Sequence, residues 1–338
     1  MTESPSHVVV VGASAGGITA LRDLVAGLPL ELPAAVLVVL HLPPGGTSVL
    51  ASILGRAGPL PVSVAADGMP LEAGTIYTAV PDRHLLVDDG RIRLSRGPTE
   101  NRHRPGVDVL FRSAAIEWGQ RAAGVVLSGA LDDGTTGLAL IKARGGLAVV
   151  QDPDEADYRS MPESASAATP VDHVLPAGKI GLALHAEMRN PAPVSPSPVS
   201  DSDRLEARID AGEQRGPEEV PNMMPPSGLA CPDCGGALFT ADSGRYRCRV
   251  GHVWTGRALL EEQDLEIQRS LWTAYRALEE KQQLAERMRA HAGRSGQPRV
   301  AQRYAKLGEE QGRAAEVLRR LLFDPEGFPK DDDRLPEG

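Results

Sequence analysis

A serine near the start of the chain has the surroundings of a nucleophile. Ser14 follows the apolar run at residues 8–11 across Gly12, and a helical pattern begins directly after it. A strand that ends in a tight turn and opens into a helix lifts the serine hydroxyl clear of the sheet, beside the N–H groups at the positive end of that helix. Such a serine suits acyl transfer, provided that the chain also supplies a base.

Two further predicted strands are followed by a histidine and by a pair of carboxylates. Together with Ser14, the histidine and one carboxylate would form a hydrogen-bonded chain, which we call the relay. His41 follows the run at residues 36–40, and the pair Asp132 and Asp133 comes shortly after the run at 125–127. A neutral imidazole accepts the serine proton, and a carboxylate on its far nitrogen fixes the tautomer and stabilises the imidazolium. Since open α/β sheets bind ligands at the carboxyl ends of their strands, we expect these groups to converge. The spacing leaves open which of the two carboxylates faces the histidine.

The first 187 residues have the pattern of an α/β domain. Short apolar runs alternate with helical periodicity, which predicts a doubly wound, mainly parallel sheet covered on both faces in a three-layer α/β/α arrangement. The predicted strands are residues 8–11, 36–40, 125–127 and 147–150, and the predicted helices begin near Ser14, Thr47, Val107, Thr136 and Met161. An Asp89-Gly90 pair between two apolar runs predicts a two-residue hairpin.

Two other kinds of site with similar loops fit the sequence less well. A dinucleotide site requires Gly-x-Gly-x-x-Gly and an acidic residue at the end of the second strand, but here Ser14 replaces the middle glycine and His41 ends that strand. Residues 12–16 match the Gly-x-Ser-x-Gly of α/β-hydrolases. That fold orders its triad as serine, acid, histidine, whereas here the histidine precedes the carboxylate.

Composition and charge exclude several classes of protein. The chain has 338 residues and a net charge of −9, which argues against a nucleic-acid partner. No apolar run approaches the length of a membrane span, and the first residues lack the charged and apolar regions of a signal peptide. We therefore expect a cytoplasmic protein that does not insert into membranes.

The composition changes after the α/β domain. Residues 188–230 are rich in proline, serine and charge, which predicts a disordered linker. Residues 257–323 contain two amphipathic helical stretches that predict a helical hairpin, with a docking or dimerisation surface as the alternative. Residues 324–338 form an acidic tail.

All three cysteines fall in a short segment with the spacing of a metal site. Cys231 and Cys234 form a Cys-x2-Cys pair, and Cys248 and His252 form a Cys-x3-His pair. This set suits a tetrahedral structural zinc in a zinc-ribbon-like module over residues 231–256. Four protein ligands leave no open position, so we expect no cofactor for catalysis. A metal-free remnant or a pair of redox thiols is the alternative.

Four blocks of the sequence resemble the CheB-type catalytic domain of chemotaxis protein-glutamate methylesterases. They are Gly-Ala-Ser-Ala-Gly-Gly at 12–17, His-Leu-Pro-Pro-Gly at 41–45, Asn-Arg-His-Arg-Pro-Gly-Val-Asp at 101–108 and Leu-Ser-Gly-Ala-Leu-Asp-Asp-Gly at 127–134. The resemblance spans residues 7–185. It implies hydrolysis of γ-glutamyl methyl esters on the cytoplasmic helices of methylated chemoreceptors, with deamidation of receptor glutamines as a related activity and other chemosensory signalling proteins as further partners.

The resemblance also implies roles for individual residues. Ser14 is the expected nucleophile, His41 the general base and then acid, and Asp133 the orienting carboxylate. The backbone N–H groups near Ala15 and Ala130 are expected to hold the oxyanion. Because these donors belong to the backbone, the small side chains at both positions leave that chemistry intact.

The third block implies a substrate groove. Arg102, His103 and Arg104 are expected to line it, and the arginines would attract acidic receptor helices; a basic surface loop is the alternative. No receiver domain precedes the four blocks in this sequence, so we expect regulation other than phosphorylation in cis. The alternative function is a degenerate esterase fold that serves as a regulatory or scaffolding protein of a chemosensory array.

Overall fold

The computed structural model describes residues 4–41, 49–189, 198–213, 220–221, 223–241 and 244–323. The chain divides into two compact units, Met1–Leu259 and Leu260–Gly338. The strands are β1 (His7–Ala13), β2 (Ala34–Leu40), β3 (Val62–Val64), β4 (Ile76–Thr78), β5 (His84–Asp88), β6 (Arg91–Ser95), β7 (Ala122–Val126), β8 (Leu147–Gln151), β9 (His173–Leu175), β10 (Pro226–Ala230), β11 (Ala237–Thr240), β12 (Tyr246–Cys248) and β13 (Val253–Trp254). The helices are α1 (Gly17–Ala26), α2 (Leu50–Leu54), α3 (Val107–Trp118), α4 (Thr135–Ala143), α5 (Ser160–Ala168), α6 (Ala177–Arg189), α7 (Asp201–Asp210), α8 (Gly256–Arg294) and α9 (Pro298–Phe323), with a 3-10 turn at Gly119–Arg121.

A parallel sheet forms the centre of the first unit. In the part of the chain that the structure describes, its strand order is β3-β4-β2-β1-β7-β8-β9. The chain begins at the middle strand, extends to one side through β2, and then crosses to β7 on the other side. The carboxyl ends of β1, β2 and β7 therefore meet at the point where the winding reverses, which is where open α/β sheets bind ligands. The predicted doubly wound sheet is confirmed.

Helices cover both faces of this sheet. Val8 and Val10 of β1 pack in one apolar core with side chains of α3, α4 and α5. Val9 and Val11 pack in a second core with side chains of α1, α2 and α6. Because successive side chains of a strand point to opposite faces, a fully apolar strand needs a helical layer on each side. The result is the predicted three-layer arrangement.

The predicted elements lie close to the observed ones. Each predicted strand and helix start falls within three residues of its counterpart, although Thr47 itself lies outside the described residues. β5 and β6 form the predicted hairpin, and both Asp89 (φ 48°) and Gly90 (φ 68°) have the positive φ that its two-residue turn requires. The short strands β3, β4 and β9 were not predicted, because three residues are too few to show a periodic pattern.

The predicted disordered linker over residues 188–230 is corrected at α7. This helix begins after Ser200, whose side chain accepts a hydrogen bond from the Asp203 N–H, and it buries Glu206 and Asp210. Both carboxylates pair with Arg112 of α3, far away in the sequence, so a segment whose composition predicts exposure to solvent has one buried face. The last five residues of the predicted linker form β10. Residues 190–197, 214–219 and 222 lie outside the described residues.

The remaining elements are a small sheet and two long helices. β10 to β13 form an antiparallel sheet that carries the cysteines. In the second unit, α8 and α9 approach closely at small residues, since a Cβ atom added at Gly308 would lie 3.7 Å from the Cβ of Ala285. The helical hairpin over residues 257–323 stays a prediction, and the predicted acidic tail lies outside the described residues. None of the helices described is both long and apolar enough to cross a membrane.

Candidate active site

Ser14 lies in the turn between β1 and α1. The turn depends on Gly16, which has a left-handed φ of 68° and whose added Cβ would lie 2.5 Å from the Cβ of Asp157. The Ser14 N–H donates to the carbonyl of Ser128 (2.9 Å), and the Ser128 hydroxyl donates to the carbonyl of Ala15 (2.8 Å). These two bonds join the serine turn to the loop that follows β7.

His41 connects Ser14 to Asp133. Its Nδ1 lies 3.1 Å from the Oγ of Ser14, and its Nε2 lies 2.7 Å from Oδ2 of Asp133. Its backbone N–H donates to the carbonyl of Ala13 (3.2 Å), which holds the residue against the end of β1. The side chains of His41 and Asp133 are only 7% and 3% exposed, so water does not compete for the bond between them.

Asp133 is fixed at the N-terminus of α3. Its two carboxylate oxygens accept hydrogen bonds from the N–H groups of Val107 (2.8 Å) and Asp108 (3.0 Å). Burial alone would raise the pKa of Asp133, but the hydrogen bond and charge of His41, together with those N–H groups, hold it below its ordinary value. An ionised Asp133 accepts the Nε2–H of His41, which leaves Nδ1 free to accept the Ser14 proton.

The neighbouring carboxylate faces away from the relay. Oδ1 of Asp132 accepts the hydroxyl proton of Thr255 at 2.8 Å. Burial raises the pKa of Asp132, and the Thr255 hydrogen bond opposes that rise. The structure therefore brings Asp133, and not Asp132, to His41.

Two loops could supply oxyanion donors. Ala15 lies in the Ser14 turn, and Ala130 follows Gly129, whose added Cβ would lie 2.9 Å from the Cβ of Ser14. The second loop therefore passes directly against the serine. Among the described residues, neither Ala15 nor Ala130 donates its N–H to a backbone carbonyl, so both donors can serve a ligand.

His103 packs against the relay histidine. The rings of His41 and His103 are stacked, with centroids 3.7 Å apart and planes 6° apart. Burial, and then the nearby His41, lower the pKa of His103 to about 4, against a weaker opposing effect of Asp133. His103 is therefore neutral near pH 7, and it adds no positive charge beside an imidazolium that forms on His41.

The two predicted substrate arginines have partners inside the protein. Arg104 donates to Oδ1 of Asp82 (2.6 Å) and to the carbonyl of Gly97 (2.7 Å). Nε of Arg102 lies 3.4 Å from Oδ1 of Asp233, and the Arg102 side chain remains 41% exposed. The structure thus brings His103 into the site, whereas Arg104 braces the loop that carries it and Arg102 stays partly exposed beside Asp233.

Sequence patterns missed three residues that support the site. Ser128 joins the two loops, Tyr158 donates its N–H to the Ser128 hydroxyl (3.0 Å), and Thr255 binds Asp132. Ser128 lies in the conspicuous block at residues 127–134, but no local sequence pattern marks the other two. Their partners are 30 and 123 residues away along the chain.

The four predicted metal ligands converge in the small sheet. Their ligand atoms all lie within 4.8 Å of one another. Nδ1 of His252 lies 3.7 Å from Sγ of Cys231 and 3.6 Å from Sγ of Cys248, which in turn lies 3.7 Å from Sγ of Cys234. Zinc bond lengths of about 2.3 Å to sulfur and 2.1 Å to nitrogen imply tetrahedral ligand separations of about 3.6–3.8 Å. The donor set and its spacing therefore fit a zinc ion.

Known proteins match the α/β domain of this chain. The CheB methylesterase family matches residues 9–184. The protein-glutamate methylesterase/protein-glutamine glutaminase 2 of Anaeromyxobacter dehalogenans is 42% identical over 178 residues, which are 53% of this chain and 52% of that protein. The corresponding enzyme of Symbiobacterium thermophilum is 38% identical over 181 residues, 53% of this chain and 50% of that protein.

A solved structure supports the same relationship. The crystal structure of the Thermotoga maritima CheB methylesterase catalytic domain matches with a TM-score of 0.51 at 34% identity, and covers 53% of this chain and 97% of that one. The chain spans about half the length of the two curated relatives. The match covers the strands and loops that carry Ser14, His41 and Asp133, and on this evidence the chain belongs to the CheB methylesterase family.

Proposed function

We propose that this protein is a serine esterase that hydrolyses the γ-methyl esters of glutamate side chains on chemoreceptors. The family membership supports the substrate class. The observation that carries the chemistry is the relay from Ser14 through His41 to Asp133, with distances of 3.1 and 2.7 Å. Such a relay activates a hydroxyl that is otherwise a weak nucleophile at neutral pH.

The first half of the reaction acylates the serine. Nδ1 of His41 takes the Ser14 proton as Oγ attacks the ester carbonyl carbon, and Asp133 stabilises the imidazolium. The N–H groups of Ala15 and Ala130 receive the oxyanion of the tetrahedral intermediate. His41 then gives its proton to the methoxy oxygen, so that methanol leaves and the γ-glutamyl group remains esterified to Ser14.

The second half releases the glutamate. Water attacks the acyl carbon while His41 accepts one of its protons, and His41 returns that proton to the Ser14 oxygen as the carboxylic acid departs and then ionises in solvent. A glutamine side chain follows the same path with ammonia as the leaving group, so we extend the proposal to receptor deamidation. Both relatives carry both activities in their names.

The surroundings of the relay define the rest of the proposal. The groove beside His103 receives the receptor helix, and Arg102 contributes positive charge at its edge. Cys231, Cys234, Cys248 and His252 hold a structural zinc, which supplies cross-linking of the small sheet and takes no part in the ester chemistry. The protein acts in the cytoplasm together with other chemosensory signalling proteins.

The deciding experiment measures methanol release from receptor membranes that carry labelled methyl esters. We expect release by the wild-type protein and a loss of at least about 10³-fold in Ser14→Ala. Ser63→Ala, in the strand β3 away from the relay, is the matched control and should release methanol at the wild-type rate. Release that survives in Ser14→Ala would remove the serine from its role. No release by any of the three proteins would favour the scaffolding alternative.

A further inference from the structure

The cysteine-bearing sheet extends into the loop that carries His103. We call residues 226–255 the Cys/His module and residues 99–104 the active-site loop. The Asn101 N–H donates to the carbonyl of Val253 (2.8 Å), and the Val253 N–H donates to the carbonyl of Thr99 (3.1 Å). The Thr255 N–H donates to the Asn101 side-chain oxygen at 2.9 Å. The active-site loop is therefore hydrogen-bonded to the module as a neighbouring strand would be.

The module also contacts the loop that carries the relay carboxylate. The Thr255 hydroxyl donates to Asp132, the residue before Asp133, at 2.8 Å. Leu131 packs against the apolar core of the module, which includes Cys231, Cys248 and Trp254. One small module thus touches both of the loops that position the partners of His41.

A buried cluster of charges fastens the module to the α/β domain. Three arginines and three carboxylates take part, with side chains at most 5% exposed: Arg112, Arg245, Arg247, Glu100, Glu206 and Asp210. Arg112 of α3 binds Glu100 (3.0 Å) and Glu206 (3.2 Å), and Arg245 and Arg247 of the module bind Glu206 and Asp210. If the module slid over the domain, these buried charges would lose their partners in a medium of low dielectric, which is strongly unfavourable. The cluster therefore holds the module in place.

The residues at this interface lie next to the predicted metal ligands. Asp233, which lies between Cys231 and Cys234, accepts a hydrogen bond from the Thr99 hydroxyl (3.1 Å). Val253 directly follows His252 and pairs with the active-site loop. Each pair of predicted zinc ligands therefore lies beside a residue that contacts the active-site loop, Asp233 in one case and Val253 in the other. Loss of a bound zinc ion would free both residues together.

We propose that the Cys/His module is a positioning element of the esterase site, so that zinc binding at Cys231, Cys234, Cys248 and His252 sets the order of the active-site loop and the reactivity of Ser14. The inference rests on the proposed function for its chemistry and adds a form of control to it. The ion acts through the module, the loop and the His103 ring on His41, and it touches neither substrate nor the reacting atoms. Zinc availability then controls the esterase.

The first test removes zinc from the full chain. Metal content, hydrogen exchange of peptides that cover residues 99–104 and 130–134, and the rate of Ser14 labelling by a fluorophosphonate are measured before chelation, after it, and after zinc is returned. We expect chelation to speed exchange in both peptides and to slow labelling by about tenfold or more, with recovery on reloading. Faster exchange confined to the module, with unchanged labelling, would overturn the inference, as would a chain that binds no zinc.

The second test keeps the metal and changes the contact. The Thr255 hydroxyl donates to Asp132 and accepts from the Ala258 N–H (3.2 Å), which caps α8. Thr255→Ser retains both bonds. Thr255→Asp retains the cap, loses the donor and places a like charge opposite Asp132. We expect normal zinc content in both variants, a kcat about tenfold lower in Thr255→Asp with KM nearly unchanged, and wild-type kcat in Thr255→Ser.

Thr273→Asp is the matched control for the added charge, because Thr273 lies exposed on α8 in the second unit. Equal kcat values for Thr255→Asp and Thr255→Ser would overturn the positioning role. Zinc content and hydrogen exchange do not depend on receptor hydrolysis, so the two proposals fail separately. If zinc removal changes the exchange of the active-site loop but the protein releases no methanol, only the proposed function is refuted. If methanol release is the same before and after chelation, only this inference is refuted.

Discussion

The imidazole ring of His103 lies flat against that of His41, with ring centroids 3.7 Å apart. This stack restricts rotation of His41 about its side chain, so that one nitrogen stays aimed at Ser14 and the other at Asp133. The pKa of His103 is lowered to about 4, chiefly by burial, and the supporting ring therefore stays uncharged at neutral pH. We therefore expect the stack to hold the His41 ring in place and not to carry a second proton.

Substitution of His103 tests that support. His103→Phe keeps a flat ring, and we expect kcat within about threefold of wild type, whereas His103→Ala frees the His41 ring and should lower kcat by about 10–100-fold. The measurement is methanol release at saturating substrate, with melting temperatures to verify folding. An alanine variant that keeps full kcat would show that the stack does not position the base.

Asp133→Asn tests the orienting carboxylate. An amide cannot accept all three hydrogen bonds that Asp133 receives and favours the wrong tautomer of His41, so kcat should fall by about 10³–10⁴-fold. Asp89→Asn is the matched control, since Asp89 lies exposed in a hairpin turn with a φ of 48°, which asparagine tolerates. The rate at which a fluorophosphonate labels Ser14 reports the reactivity of the serine in both variants, and it should fall with kcat in Asp133→Asn alone. Equal rates would exclude Asp133 from the relay.

Arg102→Gln tests the charge at the edge of the groove. The pair between Arg102 and Asp233 is exposed, so its loss should cost little stability, and kcat should stay near that of wild type. We expect KM for receptor membranes to rise by about 2–10-fold, with the difference shrinking as salt is added. A small neutral ester measures the basal reaction and should be unaffected. An unchanged KM at low salt would rule out the proposed attraction.

Glu206→Gln tests the buried charge cluster. Burial alone would raise the pKa of Glu206, but the charges of Arg245, Arg112 and Arg247 lower it to about 2. A lowered pKa means that this group stabilises the fold above its ordinary value of 4.5, and that the stabilisation is lost as the pH falls from about 4.5 towards 2. We expect the variant to lose about 3–5 kcal/mol of unfolding free energy at pH 7.

The same variant should also show a weaker dependence of stability on pH in that acidic window. Urea unfolding at pH 3, 5 and 7 measures both effects. Glu309→Gln, at an exposed position of α9, is the matched control and should leave both unchanged. A Glu206→Gln curve parallel to that of wild type between pH 5 and 3 would contradict the assigned ionisation.

Gly129→Ala tests how closely the two active-site turns approach. The added methyl group would lie 2.0 Å from Sδ of Met161 and 2.9 Å from the Cβ of Ser14, so one turn has to move. We expect kcat to fall by about tenfold or more, because small displacements of a nucleophile are costly. Gly293→Ala is the control, since nothing lies within 4 Å of that position in α8, and it should stabilise the helix slightly. Equal kcat values would show that the turns can separate freely.

Much of the site was predictable because its signals are local. Ser14, His41 and the Asp132-Asp133 pair each follow a strand, and the carboxyl ends of strands in a parallel sheet share one edge. The Cys-x2-Cys and Cys-x3-His spacings likewise depend on a few adjacent residues. The rest depends on partners that are distant in the sequence. Composition made residues 201–210 resemble a solvated linker, because it does not reveal that Glu206 and Asp210 pair with Arg112 of α3, which lies 98 residues before Asp210.

By itself, then, the sequence determined the kind of fold, and it predicted Ser14, His41, the Asp132-Asp133 pair and the four Cys/His side chains as site residues, since short-range pattern and spacing encode these. Only the tertiary structure decided that Asp132 turns to Thr255 while Asp133 turns to His41, and that His103 stacks on the base. It alone joined the Cys/His module to the active-site loop, through the bonds of Asn101 and Val253. These contacts depend on side-chain direction and join segments that lie far apart in the sequence, up to 154 residues for Asn101 and Thr255, so no local stretch of the chain encodes them.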